Sequence, residues 1–398
     1  MKQLPILFAS SLITLPTPTA SSQSSISQEA IVRWDETESN VLNFFHKNTT
    51  VGAALGEHEI INLPNKNGIF DAGFVCALND MTTLLHEDVH VIKIDPRITN
   101  IEGYGSIVHH MDLFACQQSV FDEIDEASHD DIPDWLWCAN DVFLETSCKQ
   151  LLWAYDRGAE TFEFPLEAGL LLGPSSGFTT LLLQIHYLLP KGYVPDGKGL
   201  VDASGFRLTT EPAALRPYDV ALFGFFDPGL TLPKDEEAYE YRAHLDSTLL
   251  AKVMGKTLKV YNAVYPIAVH LHGHDHLIRA RLEHYDSNGE LVGKYGEINP
   301  FHGYGHDQTF LKLDLESDDA QPLQEGDSLT FVCTFDTRGA GSDIRYGVSH
   351  EDEMCAPLIM YYPHVRVAEG NNVQNIASVY RNDYDDEREY QQKFEGQE

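Results

Sequence analysis

The chain has 398 residues, 43% of them apolar and 11% aromatic, enough for packed cores in two or three domains. Its 61 Asp and Glu against 27 Lys and Arg leave a formal net charge of −34, which argues against a nucleic-acid backbone or an anionic membrane surface as partner. After the N-terminus no apolar run approaches the roughly 20 residues that a bilayer-crossing helix needs, so no membrane span is expected.

In chain order, Met1-Lys2 precedes the apolar stretches 4–9 and 12–15 and a small-residue region around Ala20. This reads as a secretory signal peptide over residues 1–22, which implies a secreted protein or one of the secretory-pathway lumen. Asn48-Thr49-Thr50 is a glycosylation sequon in keeping with that route. Cysteines stand at 76, 116, 138, 148, 333 and 355. In an exported chain this even number suggests three disulfides of open connectivity. Four in the first half and two in the second suit two separately stapled domains, and none has the Cys-x-x-Cys spacing of a structural zinc site.

Short alternating or β-branched runs punctuated by Gly, Pro, Asn and Asp fill most of the chain, as at 89–94, 179–186, 258–261 and 328–332. The texture is that of an all-β fold of sandwiches. Leu189-Pro190-Lys191-Gly192 and Pro195-Asp196-Gly197-Lys198-Gly199 interrupt it, which places an N-terminal domain at 28–195 and a C-terminal one at 196–368. Residues 369–398 are acidic and poor in apolar side chains, and read as a mobile tail.

Four histidines alternate in the second half, His270, His272, His274 and His276. Strand residues two apart share a face, so at least two of these imidazoles can converge on one metal ion. Possible co-ligands stand elsewhere: the pair His109-His110, the isolated His186, and the thioether of Met354. Imidazole combined with thioether points to copper. A zinc hydrolase fits poorly, because no His-Glu-x-x-His occurs and a thioether is an unusual zinc ligand. His46, His58, His129, His244 and His364 read as ordinary core or surface residues.

Taken together, His109-His110-Met111-Asp112-Leu113-Phe114-Ala115-Cys116, then Leu183-Gln184-Ile185-His186-Tyr187, His270-Leu271-His272, and Asp352-Glu353-Met354-Cys355 with Met360-Tyr361-Tyr362-Pro363 form an ordered series. In order and spacing it resembles the copper type II, ascorbate-dependent monooxygenases over about residues 70–366. Phe164-Pro165-Leu166-Glu167-Ala168-Gly169 agrees with this, and Asp202-Ala203-Ser204-Gly205-Phe206-Arg207-Leu208 lies nearer the dopamine and tyramine branch. The resemblance implies two tandem antiparallel, jelly-roll-like β-sandwich domains whose two copper sites face an interdomain cleft. It implies one copper on His109, His110 and His186, and a catalytic copper on His270, His272 and Met354. Ascorbate would be the reductant and O2 the co-substrate in hydroxylating an activated C–H bond of a small organic molecule, an amine among the candidates. It also pairs Cys76 with Cys138, Cys116 with Cys148, and Cys333 with Cys355.

Neighbouring residues of a regular strand point to opposite faces, so His109 and His110 can share an ion only at a strand end or bulge. The Gly-Arg or Gly-Lys pair that commonly follows the second metal histidine in the family is Asp275 and His276 here. His274 and His276 are therefore extra. Either His272 and His274 take the place of His270 and His272, or the added imidazoles surround the ligands or form an auxiliary metal site. Ala268 and Ala356 stand where the peptidylglycine enzyme has its carboxylate-binding arginine and asparagine, which disfavours a peptide C-terminus. Asp112 could pair with an amine or serve as a structural carboxylate, and Gln184 could position solvent or be a plain strand residue. A secreted copper-binding protein that keeps the scaffold without turnover is the alternative reading. The oligomeric state is left open.

Overall fold

The computed structural model describes residues 25–27, 30–34, 41–46, 49–51, 70–82, 84–116, 148, 150–176, 178, 180–189, 200–302, 309–317, 320–347, 352–365 and 376–378. The expected signal peptide, the Asn48 sequon residue, Cys138, and all of the 369–398 tail except 376–378 lie outside the described residues.

The fold is all-β in character, as the punctuated strand texture implies. The principal strands of the first half are β1 (Val41–His46), β2 (Phe70–Asp80), β3 (Val89–Arg97), β4 (Val108–Cys116), β5 (Gln150–Asp156), β6 (Ala168–Leu172), β7 (Thr180–Leu189) and β8 (Gly205–Pro212). The second half contributes β9 (Tyr218–Phe226), β10 (Tyr239–Leu245), the helix α1 (Ser247–Tyr261), β11 (Ala263–His272), β12 (Leu277–Tyr285), β13 (Leu291–Ile298), β14 (Phe310–Lys312), β15 (Ser328–Phe335) and β16 (Ala356–His364). A five-stranded sheet runs Ser25–Ser27, β2, β7, β4, β5, and a four-stranded sheet runs β10, β15, β12, β13. Between them, one long sheet passes through both halves in the order Ala30–Trp34, β1, β8, β3, β6, β9, β16, β11, β14.

Each half encloses its own apolar core. The first joins Leu113, Trp153 and Leu183 of the five-stranded sheet to Ile94, Leu170 and Phe206 of the long sheet. The second joins Leu282, Tyr295 and Phe331 of the four-stranded sheet to Phe223, Val269 and Ile359, with Met254 and Leu258 of α1. β7 lies between β2 and β4, and its nearly unbroken burial accounts for an apolar run without clean alternation.

The halves meet where β6 and β9 pair in parallel, from Ala168 opposite Tyr218 to Leu170 opposite Val220. Beside this joint His90 of β3 is fully buried, with Nε2 2.8 Å from Asp219 Oδ1 of β9. Gly169 lies under the His90 ring, where a Cβ would come within 2.5 Å of His90 Cβ. Arg216 closes the joint by donating to the carbonyls of Pro165 and Ala168 and to the Glu211 carboxylate. Leu200–Asp202 and β8 follow the expected division at 195/196, yet they pair with strands of the first half. By strand pairing the change of partners falls between Pro212 and Tyr218.

Leu258-Lys259-Val260-Tyr261 is not the expected strand but the last turn of α1. Asp246 caps the helix by accepting the Leu249 N–H at 2.8 Å, and Asn262 ends it in the left-handed region at φ 63. Leu250, Met254 and Leu258 recur at helical spacing and are buried, whereas Val260 and Tyr261 face solvent. The longer apolar period overrides the β-branched look of the final turn.

An aromatic contact bridges the two halves. Trp153 of β5 stacks on Phe310 of β14 with centroids 4.7 Å apart, and the Phe310 ring lies 5.4 Å from that of His270.

The joint yields a paired prediction. Gly169→Ala is expected to lower stability by roughly 1–3 kcal/mol through overpacking against His90, whereas Gly341→Ala, with nothing within 4 Å of its added Cβ, should leave the thermal transition in place. Equal melting temperatures for the two variants would refute the tight joint.

Candidate metal centre

β4 and β7 run antiparallel, with His186 opposite His110 and then Tyr187 opposite Val108. His109 is the extra residue of a bulge, the device needed for adjacent side chains to turn to one place. The Nδ1 atoms of His109 and His110 lie 3.0 Å apart, and those of His109 and His186 3.2 Å. The three ring centroids form a near-equilateral triangle with sides of 5.0, 5.1 and 5.0 Å. Metal–imidazole bonds of about 2.0–2.1 Å place ligand nitrogens about 3 Å apart, so the triad fits a metal ion as it stands. One ligand atom from each residue lies within 4.8 Å of the others. A set of three imidazoles suits a late first-row ion such as copper.

The elements around the triad hold it. Arg157 Nε donates to the Val108 carbonyl at 3.1 Å, fixing the entry to the bulge. Tyr187, next to His186, donates its hydroxyl to Asp202 at 2.9 Å. At the other end of β4, Cys116 is joined to Cys148. Asp112 Oδ2 lies 3.8 Å from His110 Nε2, and burial, with the Asp156 carboxylate adding to it, pushes this acid up to about 7. Gln184 sits opposite Asp112 in the β4–β7 register.

The second cluster forms at the end of β11. His270 and His272 share a face, as the alternation requires, with ring centroids 5.8 Å apart and planes 19° from parallel. β16 lies alongside, pairing His272 with Ala356 and His270 with Leu358, so Met354 enters just before the strand that flanks both imidazoles. Cys355 anchors it to Cys333 of β15. Gly273 permits the close approach of this segment, because a Cβ there would meet the Met354 carbonyl oxygen at 3.0 Å and Leu277 Cδ2 at 2.6 Å.

Glu353 is the centre of this arrangement. Its side chain is fully buried and accepts three backbone N–H groups: from His274 and from Met354 (2.9 Å) on one oxygen, and from His276 (3.0 Å) on the other. Burial pushes Glu353 up to about 7 although the three N–H bonds lower it. The carboxylate thus ties the turn carrying the extra histidines to the residue carrying the thioether. The rings are engaged as well, His274 Nδ1 with the Asp352 carbonyl and His276 Nδ1 with the Asp336 carbonyl, each at 3.0 Å.

Of the histidines given no role, His244 contacts Thr330 and His364 contacts the Tyr361 hydroxyl, each at 2.9 Å. Among the described residues, two of the implied disulfides are present, Cys116–Cys148 and Cys333–Cys355. Cys76 lies in β2, and its implied partner is Cys138. Glu353 carries no signal of this role in the sequence, since a carboxylate's burial has no local signature there.

Comparison with known proteins bears on the same residues. The profile of the N-terminal domain of copper type II ascorbate-dependent monooxygenases matches residues 61–193, and that of the C-terminal domain matches residues 228–381. The chain belongs to this family. DBH-like monooxygenase protein 1 of Mus musculus is 27% identical over 347 residues, covering 83% of this chain and 51% of its own length. Tyramine beta-hydroxylase of Caenorhabditis briggsae is 24% identical over 76% of this chain and 47% of its own. Dopamine beta-hydroxylase of Rattus norvegicus is 25% identical over 69% and 41%. The chain therefore spans about half the length, or less, of these curated relatives.

The Glu353 clamp makes a second prediction. Glu353→Gln puts an amide donor where three N–H groups converge, and should lower stability by roughly 1–3 kcal/mol. Thermal denaturation followed by circular dichroism reads this as a lower melting temperature. An unchanged melting temperature would show that the clamp is dispensable.

Proposed function

We propose that this protein hydroxylates an activated C–H bond of a small organic substrate with O2 and ascorbate, using two copper ions. One is held by His109, His110 and His186, and the other by His270, His272 and Met354. The observation that carries the reading is the convergence of three imidazole nitrogens on a bulge between central strands, within a chain of this family. Copper supplies one-electron chemistry towards dioxygen when bound. The protein supplies placement. The all-imidazole set serves both copper oxidation states, which suits electron storage, whereas the Met354 thioether favours the reduced ion. Glu353 and the Cys333–Cys355 bridge hold the backbone on either side of that thioether, and Phe310 backs the His270 ring.

A phenylethylamine-like substrate is the best candidate. Two relatives are named for tyramine and dopamine hydroxylation, and the net charge of −34 attracts cations. Ala268 and Ala356 offer no charge for a substrate carboxylate. The two disulfides suit an oxidising, secretory compartment, and no helix among the described residues is long and apolar enough to cross a membrane. Copper binding without turnover is the second reading, favoured by the extra imidazoles of His274 and His276.

Elemental analysis of the copper-reconstituted protein is expected to give two coppers, with ascorbate-driven oxygen uptake stimulated by phenylethylamines. Met354→Ile should spare the copper on the histidine triad and abolish turnover. Full turnover in that variant would remove Met354 from the ligand set, and two coppers without uptake for any substrate would favour the binding protein.

A further inference from the structure

We propose that the exposed face of α1 is the docking surface of this chain's own acidic C-terminal run, Asp383-Tyr384-Asp385-Asp386-Glu387-Arg388-Glu389.

The helix comes first. Over its 15 residues α1 carries Lys252, Lys256 and Lys259 and neither Asp nor Glu, in a chain whose acids outnumber its bases by more than two to one. The three lysines follow at i, i+4 and i+7, so they share one face of the helix, opposite the buried Leu250, Met254 and Thr257. All three are exposed, and none is in an ion pair among the described residues. Lys93 and Lys294, by contrast, face Glu163 and Glu297 at 3.1 and 3.7 Å. Like charges one turn apart repel, so this face is left with a repulsion that an anion would relieve.

The tether comes second. Ile376–Ser378 pairs in parallel with Gly224–Phe226 of β9 and lies against α1. The acidic run starts five residues after Ser378, a reach of at most about 17 Å. In it five acids stand against one arginine. The lysines span about 10 Å along the helix axis, less than the run covers when extended. Val260 and Tyr261 are exposed beside Lys259, and Tyr380 and Tyr384 supply rings to meet them.

Charge and tethering together favour the tail over any other occupant. A separate acidic partner has to approach a chain of net charge −34, whose field repels it. The tail is already attached, and a short tether supplies an effective concentration on the order of millimolar. Surface ion pairs too weak to hold a free partner then suffice. The matched family profile ends at residue 381, so the run lies beyond the domains that this chain shares with its relatives. Docking covers the charge of the helix that leads into β11 and braces it from outside.

The test is carbodiimide coupling of the full chain, as an equal mixture of unlabelled and 15N-labelled protein, read by mass spectrometry. The expected products are amides joining Lys252, Lys256 or Lys259 to acids of 383–389 within chains of one label, lost in 1 M salt, where the Debye length falls to about 3 Å. Cross-links of mixed label would assign the face to the tail of a second copy and overturn the intramolecular reading. Coupling of the run to other lysines alone would overturn the surface itself. A second readout is the rate at which an amine-reactive acetyl ester modifies each lysine. Replacing Asp383, Asp385 and Asp386 by Asn, and Glu387 and Glu389 by Gln, should speed acetylation of Lys252, Lys256 and Lys259 severalfold and leave Lys294 unchanged. Equal rates before and after neutralisation would also overturn the proposal.

Discussion

A strand alternates its side chains, and this one constraint organises both clusters. Adjacent residues of a regular strand cannot meet on one ion, while residues two apart share a face without converging. The His109 bulge answers the first difficulty by inserting a residue opposite the His186–Tyr187 step. Because β7 and β4 are interior strands of their sheet, the bulge is held on both sides by ladder hydrogen bonds. The spacing of the three imidazoles is therefore set by the strand pairing.

The second cluster solves the problem at a strand end. β11 stops at His272, and the chain then turns through Gly273 and back into β12. Such a turn leaves several N–H groups without ladder partners, and buried donors must find acceptors. Glu353 supplies them. A buried carboxylate is disfavoured by desolvation, and three N–H bonds at once are what make this one tolerable. The same carboxylate accepts the Met354 N–H, so the turn and the start of β16 are joined by one side chain.

Much of this was legible in the sequence, for identifiable reasons. Metal ligands are rare residue types at fixed spacings, so His109-His110, His186 and the 270–276 run stood out before any fold was known. The need for a bulge followed from strand geometry alone. The joint between the halves was not legible, because the parallel pairing of β6 with β9 depends on Gly169 packing beneath His90, a contact across 79 positions that no local pattern reports. Residues 258–261 misled because a short apolar run fits either periodicity, and only the Asp246 cap and the spacing of Leu250, Met254 and Leu258 decide it. The role of Glu353 is not legible either, because an acid in a loop ordinarily faces water.

The two clusters differ in what supports them, and their behaviour under perturbation should differ accordingly. The triad rests on two interior strands of one sheet, β4 and β7, and on side chains of the first core. The Met354 cluster depends on a turn, a single carboxylate and the Cys333–Cys355 bridge, one residue from the thioether. It is packed from both sides, by Val269, Leu271 and Ile359 in the second core and by the first half through Trp153, which stacks on Phe310 against His270. Ile267, Ala268, Met360 and Tyr362 of the second half likewise pack into the first core. Loosening the joint between the halves would therefore remove one of the two supports of the second cluster. The long sheet, shared by both halves, ties the strand end that carries the second cluster to the first core.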